Sequence, residues 1–376
     1  MTSDLYGIET PAVLLDAHRM EANLTSMQRL ADTEGVALRP HIKTHKSLEI
    51  GRRQLALGAV GVTVASIDEA LVFLEGGFTS VTIARPVVTP AKFGRLMKHP
   101  EIKNTDLRIV VDSQAGYSTA SSAAAGANKT LGIFVKVDVG LHRCGILPDD
   151  GRLLTLAKQI DRDPGLDFRG VLSHAGHGYA AKSRQEAAQM AEEERVTMLG
   201  VRDMLRENGI AAAEVSVGAT PTVLASESFE GITEIRPGNY VFLDLLPVNA
   251  GVAALADVSF SVLATVISRN DQYFITDAGS KTLTSDAGVH GMTGTRGFGT
   301  AYPARHFLSA PHALTVEKVS EEHGMLGRTD YSLEIGDQVR IIPNHSCPVA
   351  NLAREYIVMG PDSRNIWPVD AAKCSR

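Results

Sequence analysis

Two short stretches at opposite ends of the chain hold the residues best suited to chemistry. The first is Arg39-Pro40-His41-Ile42-Lys43-Thr44-His45-Lys46-Ser47, in which two lysines and two histidines crowd together just after an apolar run. Neighbouring cations disfavour the charged form of an amine, so one lysine here is poised to lose its proton and attack a carbonyl. Lys43 is therefore a candidate Schiff-base lysine for a carbonyl cofactor such as pyridoxal phosphate. The second stretch is Pro343-Asn344-His345-Ser346-Cys347-Pro348. In a strand, residues i and i+2 project from one face, so His345 and Cys347 are expected to meet one metal ion where a strand ends. A thiolate with an imidazole selects Zn²⁺ over the harder Mn²⁺ or Mg²⁺, and two protein ligands leave coordination positions open for catalysis.

Residues of this kind need a rigid frame, and the pattern between them supplies one. Apolar runs at 36–41, 61–66, 81–85, 107–112, 131–139, 168–174, 214–218 and 233–242 read as strands, almost continuously hydrophobic as strands covered on both faces are. Helical segments alternate with them: Ser47–Leu57, Ile67–Gly76, Pro90–Lys98, Gln114–Ala125, Asp149–Ile160, Arg184–Glu207 and a short one after Pro221. Eight strands with intervening helices match an α/β fold, the (β/α)8 barrel of the TIM type, whose site lies at the C-terminal strand ends. His41, Lys43, Ser66, Arg85, Asp112, Ser113, Arg143, His174, His177, Tyr179, Gly218, Thr220, Gly238, Asn239 and Tyr240 fall at or just beyond those ends. Such a coincidence of polar residues predicts one site at the barrel mouth.

Beyond residue 250 the helical period fades, and segments 257–268, 272–276, 312–318, 336–342 and 355–359 read as strands. A barrel over 1–250 and a mainly β domain over 251–376 is the expected division, with the first ~10 residues able to join the β domain. The Gly- and Thr-rich Ser285–Tyr302 is expected to be a covering loop. The glycines of Gly218-Ala219-Thr220 and Gly238-Asn239-Tyr240 suit a phosphate, because they let backbone amides approach it closely.

Whole-chain properties exclude other classes. The 376 residues are 44% hydrophobic and 21% charged with a formal net charge of -6, so no basic field for nucleic acid exists. No stretch has the length of a membrane span and the N-terminus lacks a signal-peptide pattern, which leads to the expectation of a cytoplasmic enzyme acting on small molecules. Three cysteines, Cys144, Cys347 and Cys374, do not make a disulfide framework; Cys144 reads as packing and Cys374 has no reading.

Together Lys43 in R-P-H-x-K-T-H-K, Arg143 in V-D-V-G-L-H-R-C-G, His174 in S-H-A-G-H-G-Y, the runs Ser216–Thr222 and Arg236–Tyr240, and the P-N-H-x-C segment resemble the D-threonine aldolase and D-serine dehydratase family. That resemblance implies the alanine racemase fold, a barrel followed by a β domain, and a head-to-tail homodimer. It implies pyridoxal 5'-phosphate on Lys43, Arg143 near its phenolic oxygen, His174 stacked on its ring, Arg236 facing its pyridine nitrogen, and Gly218, Ala219, Thr220, Gly238, Asn239 and Tyr240 around its phosphate. An arginine at the ring nitrogen leaves the ring a weaker electron sink than a carboxylate partner would. Tyr179, a candidate catalytic residue, and His177, both in G-H-G-Y, are expected to contact the substrate or a metal-bound water, and His323 lies in a segment similar to the family's E-H-G. In Asp277-Ala278-Gly279-Ser280-Lys281 the residue after glycine departs from the dehydratase pattern, where it is often aromatic.

The implied activity is a metal-dependent lyase on β-hydroxy-D-amino acids. The His-x-Cys pair favours dehydration to a 2-oxo acid and ammonia; the alternative is retro-aldol cleavage to glycine and an aldehyde. A non-catalytic carrier of the cofactor, built on a lone barrel, does not account for the β domain and its ligand pair.

Overall fold

The computed structural model describes Leu5 and residues 7–288, 296–361 and 363–375. They form two compact units. One contains Ser26–Lys43, Leu48–Gly238 and the residues Cys374 and Ser375; the other contains the chain up to Thr25, Thr44–Ser47 and Asn239–Lys373.

The chain begins with strand β1 (Ala12–Asp16) and helix α1 (Ala17–Glu34). The first unit is then built on eight parallel strands, β2 (Ala37–Leu38), β3 (Val62–Val64), β4 (Ser80–Ile83), β5 (Asp106–Val111), β6 (Leu131–Lys136), β7 (Leu166–Leu172), β8 (Glu214–Val217) and β9 (Glu234–Ile235). Their order is β2-β9-β8-β7-β6-β5-β4-β3, and a parallel bridge between His41 and Thr63 joins the outermost pair. All eight expected barrel strands are present, though the last is only two residues long; Asn239–Val241 forms a 3-10 turn instead of continuing it. Residues such as Ile109, Ile133, Phe134, Val135 and Val171 are fully buried, as burial on both strand faces requires.

Helices α2 (Leu48–Leu57), α3 (Ile67–Glu75), α4 (Pro90–Met97), α5 (Gln114–Ala127), α6 (Arg152–Asp161), α7 (Arg184–Glu207) and α8 (Thr220–Ala225) follow the expected segments. Local chemistry sets several of their starts. Ser66, Ser113 and Ser183 cap α3, α5 and α7 by accepting the amides of Glu69, Gly116 and Glu186. At the opposite end of the strands a buried ionic network replaces apolar filling. Arg39 Nε donates to Glu234 Oε2 at 2.6 Å, and Arg108 joins Glu214 at 2.7 Å and Asp106 at 2.8 Å.

The second unit is a nine-stranded sheet of order β11-β14-β13-β12-β15-β10-β1-β16-β17. Its later strands are β10 (Phe260–Arg269), β11 (Tyr273–Thr276), β12 (Gly299–Pro303), β13 (Leu314–Val319), β14 (Gly324–Gly327), β15 (Gln338–Pro343), β16 (Glu355–Met359) and β17 (Arg364–Pro368). The five strands expected from the sequence are β10, β11, β13, β15 and β16. Four more complete the sheet, among them β1, inserted antiparallel to β10 and parallel to β16. The expected loop Ser285–Tyr302 is corrected at its end, where Gly299–Tyr302 belongs to β12, held by backbone pairing with β15. Its residues 289–295 lie outside the described ones. Helices α9 (Leu245–Asn249), α10 (Ser280–Leu283) and α11 (Ser346–Leu352) are short. Among the described residues no helix is long and apolar enough to cross a membrane.

Candidate functional site

The barrel unit gathers cations where its strands end. Lys43 follows the first barrel strand, and its amide lies 3.4 Å from His41 Nδ1. His41 is tied to the last strand by donating its own amide to Pro237 O at 2.9 Å. Burial pushes the His41 imidazole well below its ordinary pKa, and Lys43, His174, Arg236 and Lys136 push it further. Burial does the same to His174, seconded by Lys43, Lys136 and Arg143. Both rings are therefore neutral at pH 7. His174 Nδ1 lies 2.5 Å from Gly218 O. Because a carbonyl only accepts, Nδ1 carries the proton and Nε2 keeps its lone pair.

Arg236 is buried and held at both terminal nitrogens: it donates to Ser216 Oγ at 2.5 Å, to Val217 O at 3.2 Å and to Ser173 O. Burial lowers its pKa to about 10, opposed by Glu234 and Glu194. Glu194 comes from α7 and is 3% exposed; it accepts Ser173 Oγ at 2.6 Å and Ala175 N at 3.1 Å. Lys136 ends β6 and is 3% exposed. Burial and then Arg236 lower it to about 8, against the pull of Cys144 and Asp112. Among the described residues no hydrogen bond reaches its amine, which leaves a buried cation suited to an anionic group.

Gly218 shows why a glycine stands there. Its φ is +156°, and an added Cβ would lie 2.9 Å from Arg236 N. Ala219, the residue before α8, makes no side-chain cap to that helix. Excess cations, neutral histidines, a lysine and a closely approachable glycine turn fit an anionic carbonyl cofactor.

The second set lies in the β unit. His345 and Cys347 do come together, but not across a strand. β15 ends at Pro343; His345 is the extended residue before α11 (φ −132°, ψ 112°) and Cys347 is that helix's second residue. The change from extended to helical backbone turns the two side chains toward each other, close enough to hydrogen-bond. Cys347 Sγ also lies 3.3 Å from Oγ1 of Thr44, the residue after Lys43. Asp244, fully buried, accepts Ser346 N at 2.8 Å, Ser346 Oγ at 3.0 Å and Asn239 Nδ2 at 2.6 Å, clamping the segment from behind. Burial pushes the His345 imidazole down, yet Cys347, Asp286 and Asp244 outweigh it and hold its pKa up to about 10. A place that retains a proton so strongly favours a cation generally. With one imidazole and one thiol the donor set suits a soft divalent ion; among the described residues no third His, Cys, Asp or Glu completes a cluster.

Comparison with known proteins covers both parts of the chain. Residues 15–245 match the family model "Alanine racemase, N-terminal domain", and residues 259–359 match "Putative serine dehydratase domain". The D-threo-3-hydroxyaspartate dehydratase of Delftia sp. (strain HT23) is 33% identical over 96% of this chain and 97% of its own. Its solved structure superimposes with a TM-score of 0.89 over 97% of this chain and 98% of that one. The D-threonine aldolase of Arthrobacter sp. is 33% identical, covering 99% and 95%, and the D-serine dehydratase of Dictyostelium discoideum is 30% identical, covering 96% of each. The chain belongs to the D-threonine aldolase and D-serine dehydratase family. It is a pyridoxal-phosphate-dependent lyase of alanine racemase fold. A further solved structure similar to this chain is that of a cysteine-to-alanine mutant of D-threo-3-hydroxyaspartate dehydratase in the metal-free form, 32% identical with a TM-score of 0.89.

The other family positions distribute unevenly. Lys43, Arg143, His174, Gly218, Ala219, Thr220, Arg236 and Gly238 lie in the barrel unit, whereas Asn239 and Tyr240, both buried, lie in the β unit with His345 and Cys347. The unit boundary thus falls inside the expected Gly238-Asn239-Tyr240 turn. Asn239 Oδ1 is buried there without a hydrogen-bond partner among the described residues. Arg143 is exposed, but its charge reaches Lys136 and His174. His177 and Tyr179 sit on the 3-10 turn Gly176–Ala180, and His177 Nδ1 is buried without a hydrogen-bond partner among the described residues. Ser66 and Arg85 are occupied by the carbonyls of Cys374 (3.1 Å) and Ser375 (2.9 Å). His323 is exposed between β13 and β14, where its Nδ1 lies 3.2 Å from Ser320 Oγ. Asp277 accepts Thr265 N and Thr10 Oγ1, a structural duty.

Sequence reasoning missed Lys136, Glu194 and Asp286. Lys136 carried a signal, a lysine closing the apolar run L-G-I-F-V-K; the other two lie on a long amphipathic helix and in a polar loop, where acids are ordinary.

Proposed function

We propose that this lyase removes water from β-hydroxy-D-amino acids of the D-serine type, giving a 2-oxo acid and ammonia, with Zn²⁺ as its metal. The meeting of His345 with a cysteine supports this reading, since a thiolate–imidazole pair selects zinc, which suits expulsion of hydroxide.

Pyridoxal phosphate, when bound, supplies an electron sink for the negative charge left at Cα. Lys43 is assigned to hold it and to move the Cα proton. Neutral His174, pinned by Gly218 O, would present a flat uncharged ring to the cofactor, and Arg236, pinned by Ser216 and Ser173, is a fixed cation that stays protonated. Arg143 and Lys136 would supply cations near its phenolic oxygen, and Gly218, Ala219, Thr220, Gly238, Asn239 and Tyr240 would line its phosphate. His345 and Cys347 are assigned to hold the ion, whose Lewis acidity would ease departure of the β-hydroxyl. Tyr179 and His177 are assigned to the substrate. The aldolase reading draws support from the Arthrobacter relative, as similar as the dehydratases. By analogy with the fold the working form is a head-to-tail homodimer, and a cytoplasmic setting suits three cysteines that form no disulfide.

The test is to incubate zinc-loaded protein with D-serine, D-threonine and 3-hydroxy-D-aspartate. Ammonia with a 2-oxo acid is expected; glycine with an aldehyde would establish the aldolase, and turnover of L-isomers alone would refute both.

A further inference from the structure

His345 has two ring nitrogens, and the structure commits one of them. Nδ1 lies 3.2 Å from Asp286 Oδ2, a contact across 59 positions of sequence. A carboxylate only accepts, so Nδ1 carries the hydrogen and Nε2 is the nitrogen left for an ion. Asp286 is itself held in place: its Oδ1 accepts Gly288 N at 3.1 Å, and its amide donates to Thr284 Oγ1 at 3.2 Å. The next residue is stitched to the ligand segment as well. Ala287 O accepts Nδ2 of Asn344, the neighbour of His345, at 2.8 Å, and Gly297 O accepts the same group at 2.9 Å. The two strips of chain are thereby fastened together beside the His345–Asp286 contact, through Asn344. Asp286 does not make a third ligand, because its facing oxygen is turned to the ring.

We propose that Asp286 is a positioning residue of the metal site: its carboxylate fixes the tautomer and orientation of His345 and so sets how tightly the ion shared with Cys347 is held. This rests on the metal reading above. A carboxylate behind a histidine ligand raises the ring's basicity and removes its rotational freedom, and loss of such a partner weakens metal binding by roughly 10–100-fold.

The experiment measures Zn²⁺ affinity of cofactor-loaded protein by competition with a chromophoric chelator, for native protein, Asp286→Asn, Asp286→Ala, His345→Ala and the double variant Asp286→Ala/His345→Ala. Asp286→Ala is expected to bind roughly 10–100-fold more weakly, and Asp286→Asn, which keeps an acceptor for Nδ1–H, to recover part of that loss. Co²⁺-substituted Asp286→Ala is expected to show shifted visible ligand-field bands. In the His345→Ala background, removing Asp286 should change affinity no further. Native-like affinity of Asp286→Ala overturns the proposal, as does an equal further loss in the His345→Ala background, which would mark a structural role only. If Asp286→Ala does not fold, Asp286→Asn alone decides, through its affinity and Co²⁺ spectrum. Native protein that binds no Zn²⁺ would remove the metal reading itself, a result distinct from native binding unaffected by Asp286.

Discussion

Replacing Lys136 by Met should make the cofactor-free protein more stable and its cofactor binding worse. Lys136 is 3% exposed, no hydrogen bond reaches its amine among the described residues, and its pKa falls from 10.5 to about 8, first through burial and then through Arg236. At about 1.4 kcal/mol per pKa unit, that displacement is a destabilisation of about 3 kcal/mol whenever the amine is charged in both folded and unfolded chains. The sign follows from the proton count. Below pH 8 both states hold the proton and the cost is complete. Between pH 8 and 10.5 the unfolded chain binds more protons, so stability rises with pH; above 10.5 neither state holds it and the cost has gone. Lys136→Met keeps the length without the charge, so its advantage over native protein should be about 3 kcal/mol larger at pH 7 than near pH 10.5. Urea denaturation of metal- and cofactor-free protein across that range, followed by far-UV circular dichroism to weight the helix-rich barrel unit, measures it. A stability difference independent of pH, or growing toward alkaline pH, would refute the argument. The functional half is a fall in cofactor affinity, because a cation kept against a stability cost is retained for an anionic ligand.

Arg39→Met should cost about 1–3 kcal/mol in denaturation midpoints, because Glu234, whose side chain is 3% exposed, loses its 2.6 Å partner but keeps Ser216 Oγ at 2.6 Å and Arg108 at 3.7 Å. In Gly218→Ala the new methyl would meet the Arg236 backbone at 2.9 Å, with backbone strain of roughly 1–3 kcal/mol, and weakened cofactor retention should appear as faster loss of visible absorbance on dialysis. Lys43→Ala should abolish that absorbance outright. Cys347→Ala should lower bound zinc, measured by atomic absorption, while leaving the absorbance in place, since the absorbance depends on the lysine and not on the thiol.

The barrel was legible because parallel strands buried on both faces must be apolar runs, and β5, β6 and β7 are such runs bounded by helix starts that Ser113 and Ser183 announce. The β unit was legible only in part. β12 and β14 contain Gly299, Gly324 and Gly327, which carry no strand propensity of their own and are extended because β15, β11 and β13 pair with them. β1 owes its place to partners about 250 and 340 residues away, beyond the reach of any local pattern.

By itself the sequence determined the chemistry on offer and its frame: a lysine beyond the first of eight barrel strands, an H-x-C pair far along the chain, and polar residues held back to strand ends. These are local properties of spacing and hydrophobic period. Tertiary structure alone decided how His345 and Cys347 meet, through a strand that gives way to a helix between them, and which carboxylate stands behind the histidine, Asp286 at 59 residues' distance. It also decided that Lys136 is buried among cations, because closing a barrel brings the ends of β2, β6, β7 and β9 around one mouth. Contacts of that kind depend on non-local pairing and burial, which set electrostatics and tautomers but leave no period in the chain.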